Sequence, residues 1–87
     1  MANDSKRIMV VVMKNRRETA VTVQHVFTDF GCFIKTRIGL HDEVMERCSN
    51  SGLIILDLVG EKAEHQKLSG QLNAIPGVRT QLVEVAF

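Results

Sequence analysis

The sequence predicts an α+β sandwich in which a four-stranded antiparallel sheet carries two helices on one face. Two segments are apolar at nearly every position, as central strands of a sheet are. Two others repeat apolar residues at helical spacing, and two more have the shorter pattern of edge strands. Their order is strand, helix, strand, strand, helix, strand. That order is the ferredoxin-like βαββαβ arrangement, for which the strand order is 4-1-3-2.

The first half of the chain begins with an apolar run over residues 8–13, which predicts the first central strand. Asn15 followed three residues later by Glu18 resembles a capping box. The apolar spacing beyond it predicts a helix over residues 16–30. Gly31 is expected to end that helix in a left-handed conformation.

The remaining elements follow from alternation, apolar runs and breakers. Residues 32–41 alternate and predict a half-exposed strand, with Ile34, Ile38 and Leu40 on one side and Lys35 and Arg37 on the other. Residues 42–50 are polar and predict a long turn. Residues 53–59 predict the second central strand, residues 61–75 the second helix and residues 78–85 the last strand.

The composition describes one small domain with no strong charge. The 87 residues carry 11 basic and 10 acidic side chains, too even a balance for the basic surface that nucleic-acid or anionic-membrane binding usually requires. No apolar run approaches the roughly 20 residues of a membrane-spanning helix. We therefore expect one cytoplasmic domain over residues 6–87 after a flexible tail over residues 1–5, with no direct nucleic-acid partner and no membrane partner.

The face of the sheet opposite the helices needs a cover, because two helices can shield only one face. Alternation along the strands places Leu53, Ile55, Asp57, Val83 and Val85 on that face. Burying its four apolar side chains would contribute on the order of 1.5–3 kcal/mol each. We therefore expect a homo-oligomer, a dimer or a tetramer, with these residues at the interface.

Cationic side chains on the same face predict a ligand site. Alternation places Lys35, Arg37 and Arg79 there beside Asp57, which favours a small anionic effector at a subunit boundary. The alternative is salt bridging between subunits or along the edge strands, and a protein partner is the alternative to a small effector.

Asn15, Arg16 and Arg17 form a second candidate site at the start of the first helix, where backbone N–H groups attract anions. Helix capping together with solvated arginines is the alternative interpretation.

Metal or redox sensing is the alternative function, because His41 and Cys48 flank one turn and could converge. No tight ligand spacing accompanies the other candidates, His25, Cys32 and His65. The first loop lacks the thiol pair of heavy-metal carriers and the glycine of a phosphate cradle, and the central strands lack the aromatics of RNA-recognition domains. No nucleophile with its base and no carboxylate pair is evident. We expect a non-enzymatic protein with no catalytic residue, no resident metal and no cofactor.

Three segments resemble the small stand-alone family of iron-only hydrogenase system regulators: KRIMVVVMKNRRETAVTVQHVFTDFGCFIKTRIGLHDEV, SGLIILDLVGE and LSGQLNAIPGVRTQLVEV. The resemblance covers residues 6–85, and its most specific pieces are RIG at 37–39, LSG at 68–70 and PGV at 76–78. That family resembles ACT regulatory domains and the C-terminal domain of nickel-responsive repressors. The resemblance therefore implies an ACT-like homo-oligomeric module for effector binding or assembly.

Two features of those relatives are absent from this sequence. The first loop of ACT domains typically contains a glycine that admits an amino acid, whereas residues 14–17 here are KNRR. The two strand histidines of the nickel repressors correspond to Thr36 and Ile38. The resemblance therefore transfers neither an amino-acid site nor a nickel site.

Overall fold

The structure, a computed structural model, describes residues 5–41 and 51–86, with His41 described by its backbone alone. Its elements are β1 Ser5–Met13, α1 Arg16–Asp29, a short 3₁₀ turn Gly31–Phe33, β2 Ile34–His41, β3 Gly52–Leu58, α2 Lys62–Asn73 and β4 Val78–Ala86. All strand pairs are antiparallel and the sheet order is β2-β3-β1-β4. This is the predicted order 4-1-3-2 seen from the other edge, so the predicted fold is confirmed.

The two strands that are apolar on both sides occupy the centre of the sheet, as predicted. Met9 in β1 lies opposite Leu56 in β3 and Leu82 in β4. The next residue, Val10, lies opposite Ile55 and Gln81 and points to the other face. Successive residues of β1 thus belong alternately to the helix-covered face and to the open face.

The core lies between the sheet and the two helices. Its members are buried apolar side chains from the inner face of the sheet and from the facing sides of α1 and α2: Met9, Val11, Met13, Val23, Val26, Phe27, Phe30, Ile54, Leu56, Leu58, Leu68, Leu72 and Val78. Because both helices contribute to this one cluster, both lie on the same face of the sheet. This leaves the opposite face without a layer of its own.

The ends of α1 differ from the prediction. Asn15 adopts a left-handed conformation with φ 54° and makes no side-chain cap. Its carbonyl oxygen accepts the N–H of Glu18 at 2.9 Å, so the predicted capping box is wrong. At the other end Gly31 does not have positive φ and instead begins the 3₁₀ turn. The chain therefore leaves α1 through a tightened last turn.

The start of β1 also extends further than predicted. Ser5, assigned to the tail, is the first residue of β1 and pairs with Ala86. Residues 1–4 lie outside the described part of the chain. The strand is longer because Lys6 and Arg7, which interrupt the apolar pattern, have partners of their own in the fold.

A β-bulge at the start of β2 changes which side chains share a face. Ile34 lies opposite Leu58, while Thr36 lies opposite Asp57, so Lys35 is an extra residue in β2. Ile34 therefore faces the core, whereas Ile38 and Leu40 face the other way. The prediction that these three side chains share one side is wrong.

Candidate functional site

The open face of the sheet, here called the outer face, is apolar across all four strands. Its apolar members are Ile8, Val10, Val12, Ile38, Leu40, Leu53, Ile55, Val83 and Val85. Ile38 retains 53% of its exposure, Val85 47% and Val12 45%. The four apolar residues predicted on this face therefore lie there, and strands β1 and β2 add five more that the prediction did not name.

Charged groups border this apolar surface at its two ends. At one end Lys6 forms an ion pair with Asp57 and also donates to the Leu58 carbonyl oxygen at 3.3 Å. At the other end Arg79 lies opposite Val12 and donates to the Val78 carbonyl oxygen at 2.9 Å. Asp57 and Arg79 are thus on the outer face, as predicted. They lie apart, with apolar residues between them.

The energy available from covering the outer face is comparable with the cost of association. The five most exposed apolar side chains of the outer face are each about half exposed: Val12, Ile38, Leu40, Val83 and Val85. Complete burial of one such side chain contributes about 1.5–3 kcal/mol, so covering the exposed halves of all five contributes roughly 4–7 kcal/mol per subunit. A pair of subunits gains twice that amount. Association costs about 4–15 kcal/mol, and the partly covered residues of the face add to the gain.

A cleft beside the start of α1, here called the Arg16 cleft, holds one of the predicted ligand-binding residues. Its volume is about 230 Å³, and its apolar lining includes Met13, Val23 and Ile54. The Arg16 Nε atom is buried and has no hydrogen-bond partner among the residues described. A buried, unpaired guanidinium N–H is a strong donor toward an anionic group.

Two glycines shape the Arg16 cleft. A Cβ added to Gly52 would lie 2.9 Å from Arg16 Cδ, so the bare backbone of β3 lets the arginine lie across it. A Cβ added to Gly39 would meet nothing within 4 Å, because the space above β2 is open there. Leu40 and Leu53, which belong to the outer face, also line the cleft. The cleft thus lies between α1 and the helix-covered side of β2 and β3, the two strands that also carry Leu40 and Leu53.

Of the three residues predicted at the start of α1, only Arg16 lines this cleft. Asn15 lines a different groove, between the start of α1 and the segment Ala74 to Pro76. Arg17 is exposed on the helix surface. The structure thus separates the predicted cluster into different surfaces.

The prediction that Arg37 joins the outer face is wrong, and Lys35, as the extra residue of the bulge, has no register position on that face. Arg37 lies opposite Leu56 on the helix-covered face, and its guanidinium lies over the Phe27 ring, 5.5 Å from the centroid. Its Nη1 donates to Gln24 Oε1 at 2.9 Å. The bulge is the physical reason, since one extra residue at Lys35 reverses the faces of all later residues relative to Ile34. Both cations line a groove between α1 and β2.

A buried polar network lies on the helix-covered side of β1 and was not predicted from the sequence. The Arg7 Nε donates to His65 Nδ1 at 2.9 Å, and its Nη1 pairs with Glu84 Oε2 at 3.3 Å. Because an arginine nitrogen can only donate, His65 Nδ1 must accept. The ring proton is therefore on Nε2, which donates to the Val59 carbonyl oxygen at 2.7 Å. His65 is 1% exposed and serves as a structural bridge between β1 and α2.

The metal-sensor alternative rests on His41 and Cys48. Cys48 and the side chain of His41 lie outside the described residues. Within the described ranges, no group of three or more histidine, cysteine, aspartate or glutamate side chains could hold a metal ion. His25 and Cys32 are exposed. In the same ranges, no helix is long and apolar enough to cross a membrane.

Comparison with known proteins supports the fold. No family model and no curated protein matches the chain. An uncharacterized protein from Thermotoga maritima matches with a TM-score of 0.78 at 29% identity, over 92% of this chain and 95% of that one. A protein described as a PII-like signaling protein from Thermus thermophilus matches with a TM-score of 0.65 at 8% identity, over 100% of this chain and 93% of that one.

A third solved structure is CPII from Thiomonas intermedia, a nitrogen regulatory PII-like protein bound to ADP, AMP and bicarbonate. It matches with a TM-score of 0.57 at 9% identity, over 95% of this chain and 94% of that one. The sheet order and these neighbours together define a ferredoxin-like domain. Its fold is the one that these PII-like proteins have.

Proposed function

We propose that this chain is a non-enzymatic regulatory module that works as a homo-oligomer and binds a small anionic effector at a subunit boundary. The outer face carries the proposal, because its apolar side chains have no cover within the described chain. A monomeric protein rarely leaves so continuous an apolar surface in water. A second copy of the chain offers a surface of the same size and character.

The Arg16 cleft is the proposed effector site. Ligand pockets commonly combine an apolar lining with a few polar groups. The Arg16 cleft has an apolar lining and a buried arginine N–H that lacks a partner among the described residues. Leu40 and Leu53 line the cleft and also belong to the outer face. Strands β2 and β3 carry both the wall of the cleft and part of the outer face, so effector binding and assembly would affect each other through these strands.

The neighbouring structures support a regulatory interpretation by analogy alone. The Thiomonas protein, which shares the fold, is described as nitrogen regulatory and binds ADP, AMP and bicarbonate. The resemblance of residues 6–85 to iron-only hydrogenase system regulators gives the proposed physiological context. Genes for hydrogenase assembly beside the gene of this protein would support that context, and their absence from related genomes would argue against it.

Assembly is tested by sedimentation velocity over a range of micromolar concentrations. The wild-type chain should be a dimer or a tetramer, while Leu53→Glu and Ile55→Glu should shift it to the monomer. Val21→Glu is the matched control, because Val21 is 69% exposed on α1, away from the sheet. A wild-type chain that stays monomeric throughout would refute the proposal. So would unchanged assembly of both sheet variants.

Effector binding is tested separately with ADP, AMP and bicarbonate as probes, by the rise in melting temperature that each one causes. At least one probe should stabilise the wild-type protein, and Arg16→Gln should abolish that effect. Arg17→Gln removes the same charge from the adjacent exposed position and should retain it. Equal responses of the two variants would remove Arg16 from the site.

A further inference from the structure

The groove between α1 and β2 lies on the helix-covered side of the sheet, at the bulged start of β2. Its volume is about 370 Å³. It is lined by Phe27, Thr28, Gly31, Ile34, Lys35, Thr36 and Arg37. Two of these residues are cationic, two carry hydroxyl groups, and none of the described lining residues is acidic. We call it the bulge groove.

Arg37 is held in position within this groove before any ligand arrives. Its guanidinium lies over the buried Phe27 ring and donates to Gln24. A stacked arginine loses little conformational freedom on binding, and its planar fork matches the oxygens of a phosphate or carboxylate. Gln24 is neutral, so its hydrogen bond orients the guanidinium without cancelling the positive charge.

The bulge brings Lys35 to the same groove. In a regular strand Lys35 and Arg37 would share a face, but the extra residue places Arg37 on the helix side and leaves Lys35 unpaired in the ladder. Bulges commonly re-aim a side chain beside a functional site. The ion pairs within the described chain use Lys6, Arg7, Lys62 and Lys67 as cations. Neither Lys35 nor Arg37 has a carboxylate partner among them.

We infer that the bulge groove binds a small multivalent oxyanion, with Arg37 as the oriented fork and Lys35 as a second positive charge. The hydroxyl group of Thr28 supplies a further donor at its wall. The anion could be a phosphate ester or a polycarboxylate, since both present clustered negative oxygens. The groove lies on the opposite side of the sheet from the outer face. It would therefore stay open in the proposed oligomer and does not depend on the Arg16 cleft.

The inference is tested by following backbone amide signals while inorganic pyrophosphate or citrate is added at low ionic strength. Residues 28 and 34–37 should show saturable shifts with at least one of the two probes. Lys35→Gln/Arg37→Gln should weaken that binding by about tenfold or more, as loss of charge-assisted hydrogen bonds predicts. Lys14→Gln/Lys67→Gln removes the same charge from other surfaces and should leave the affinity within about twofold.

The two probes distinguish the chemical source of the anion. Saturation by pyrophosphate alone indicates a phosphate ester, and saturation by citrate alone indicates a polycarboxylate. Non-saturable shifts with both probes overturn the inference, as do equal losses in the two double variants. If the first double variant does not fold, Lys35→Gln and Arg37→Lys are measured singly. Each should weaken binding, the second because lysine keeps the charge and loses the fork; unchanged affinity in both overturns the inference.

Discussion

Replacing His65 with leucine should destabilise the protein far more than the same change at any exposed histidine. His65 is buried and accepts the Arg7 Nε–H while donating to the Val59 carbonyl oxygen. Leucine has a similar volume and can do neither. The Arg7 guanidinium would keep its contacts to Glu84 and Gly60 and lose the partner of its Nε atom.

The expected loss follows from the two hydrogen bonds. A hydrogen bond to a charged group contributes about 1.5–3 kcal/mol, and a buried acceptor left without a donor costs about 1–3 kcal/mol. Because the contact to the Val59 carbonyl is only partly buried, we expect a total of about 2–4 kcal/mol. A chain of this size has roughly 4–13 kcal/mol of stability. The melting temperature should therefore fall by at least about 8 °C.

Urea unfolding followed by circular dichroism, at one fixed protein concentration, measures this loss. His25→Leu makes the same substitution at an exposed helix position and should change stability by less than about 0.5 kcal/mol. His65→Asn should lose less than His65→Leu, because an asparagine oxygen can replace the Nδ1 acceptor. Equal stabilities of the His65→Leu and His25→Leu variants would refute the assigned network and its tautomer.

Three further substitutions test the stability at acid pH and the backbone conformation at two glycines. Hydrogen bonds from Ser5 and then from Lys62 lower the pKa of Glu84 below its ordinary 4.5. The contribution of the Glu84 carboxylate to stability is therefore complete above that ordinary value and is lost as pH falls through the lower folded value. Glu84→Gln should accordingly flatten the decline in melting temperature measured below about pH 5. Gly77→Ala should destabilise the fold by about 1–2 kcal/mol in urea unfolding, because φ is +83° and the new Cβ would lie 3.2 Å from the Lys14 carbonyl oxygen. Gly70→Ala should instead stabilise the fold by about 0.5–1 kcal/mol, because Gly70 lies within α2 with open space around its Cα. A stabilising change at Gly77 together with a destabilising one at Gly70 would contradict both backbone assignments.

The fold was predictable because its signals are local and redundant. Strands β1 and β3 are apolar on both sides, which only central strands of this sheet require, and the helices show the apolar spacing of one covered face. The outer-face positions of Leu53, Ile55 and Val83 followed from alternation alone. Their strands run without a shift in register, so parity counted along the sequence stays correct.

The candidate sites were less predictable because they depend on contacts between distant elements. The Arg16 cleft exists because Gly52, in another strand, leaves room for an arginine stem. The Arg7 to His65 contact joins residues 58 positions apart. Its only sequence signals were an arginine at the start of an apolar strand and a histidine at the margin of a helical stripe. Neither signal identifies the other residue as its partner.

Arg37 was misplaced for a different reason, and that reason can be tested. This bulge carries no sequence signal, and alternation counted through Lys35 assigns every later residue of β2 to the wrong face relative to Ile34. If Lys35 is the extra residue, deleting it should leave Ile34 inside, Thr36 outside and Arg37 inside, in a regular ladder. The deletion variant should fold, and the Arg37 side-chain signals should keep the ring-current shift from Phe27. Loss of that shift, with Arg37 transferred to the outer face, would show that another residue is the bulge and that the bulge groove is wrongly built.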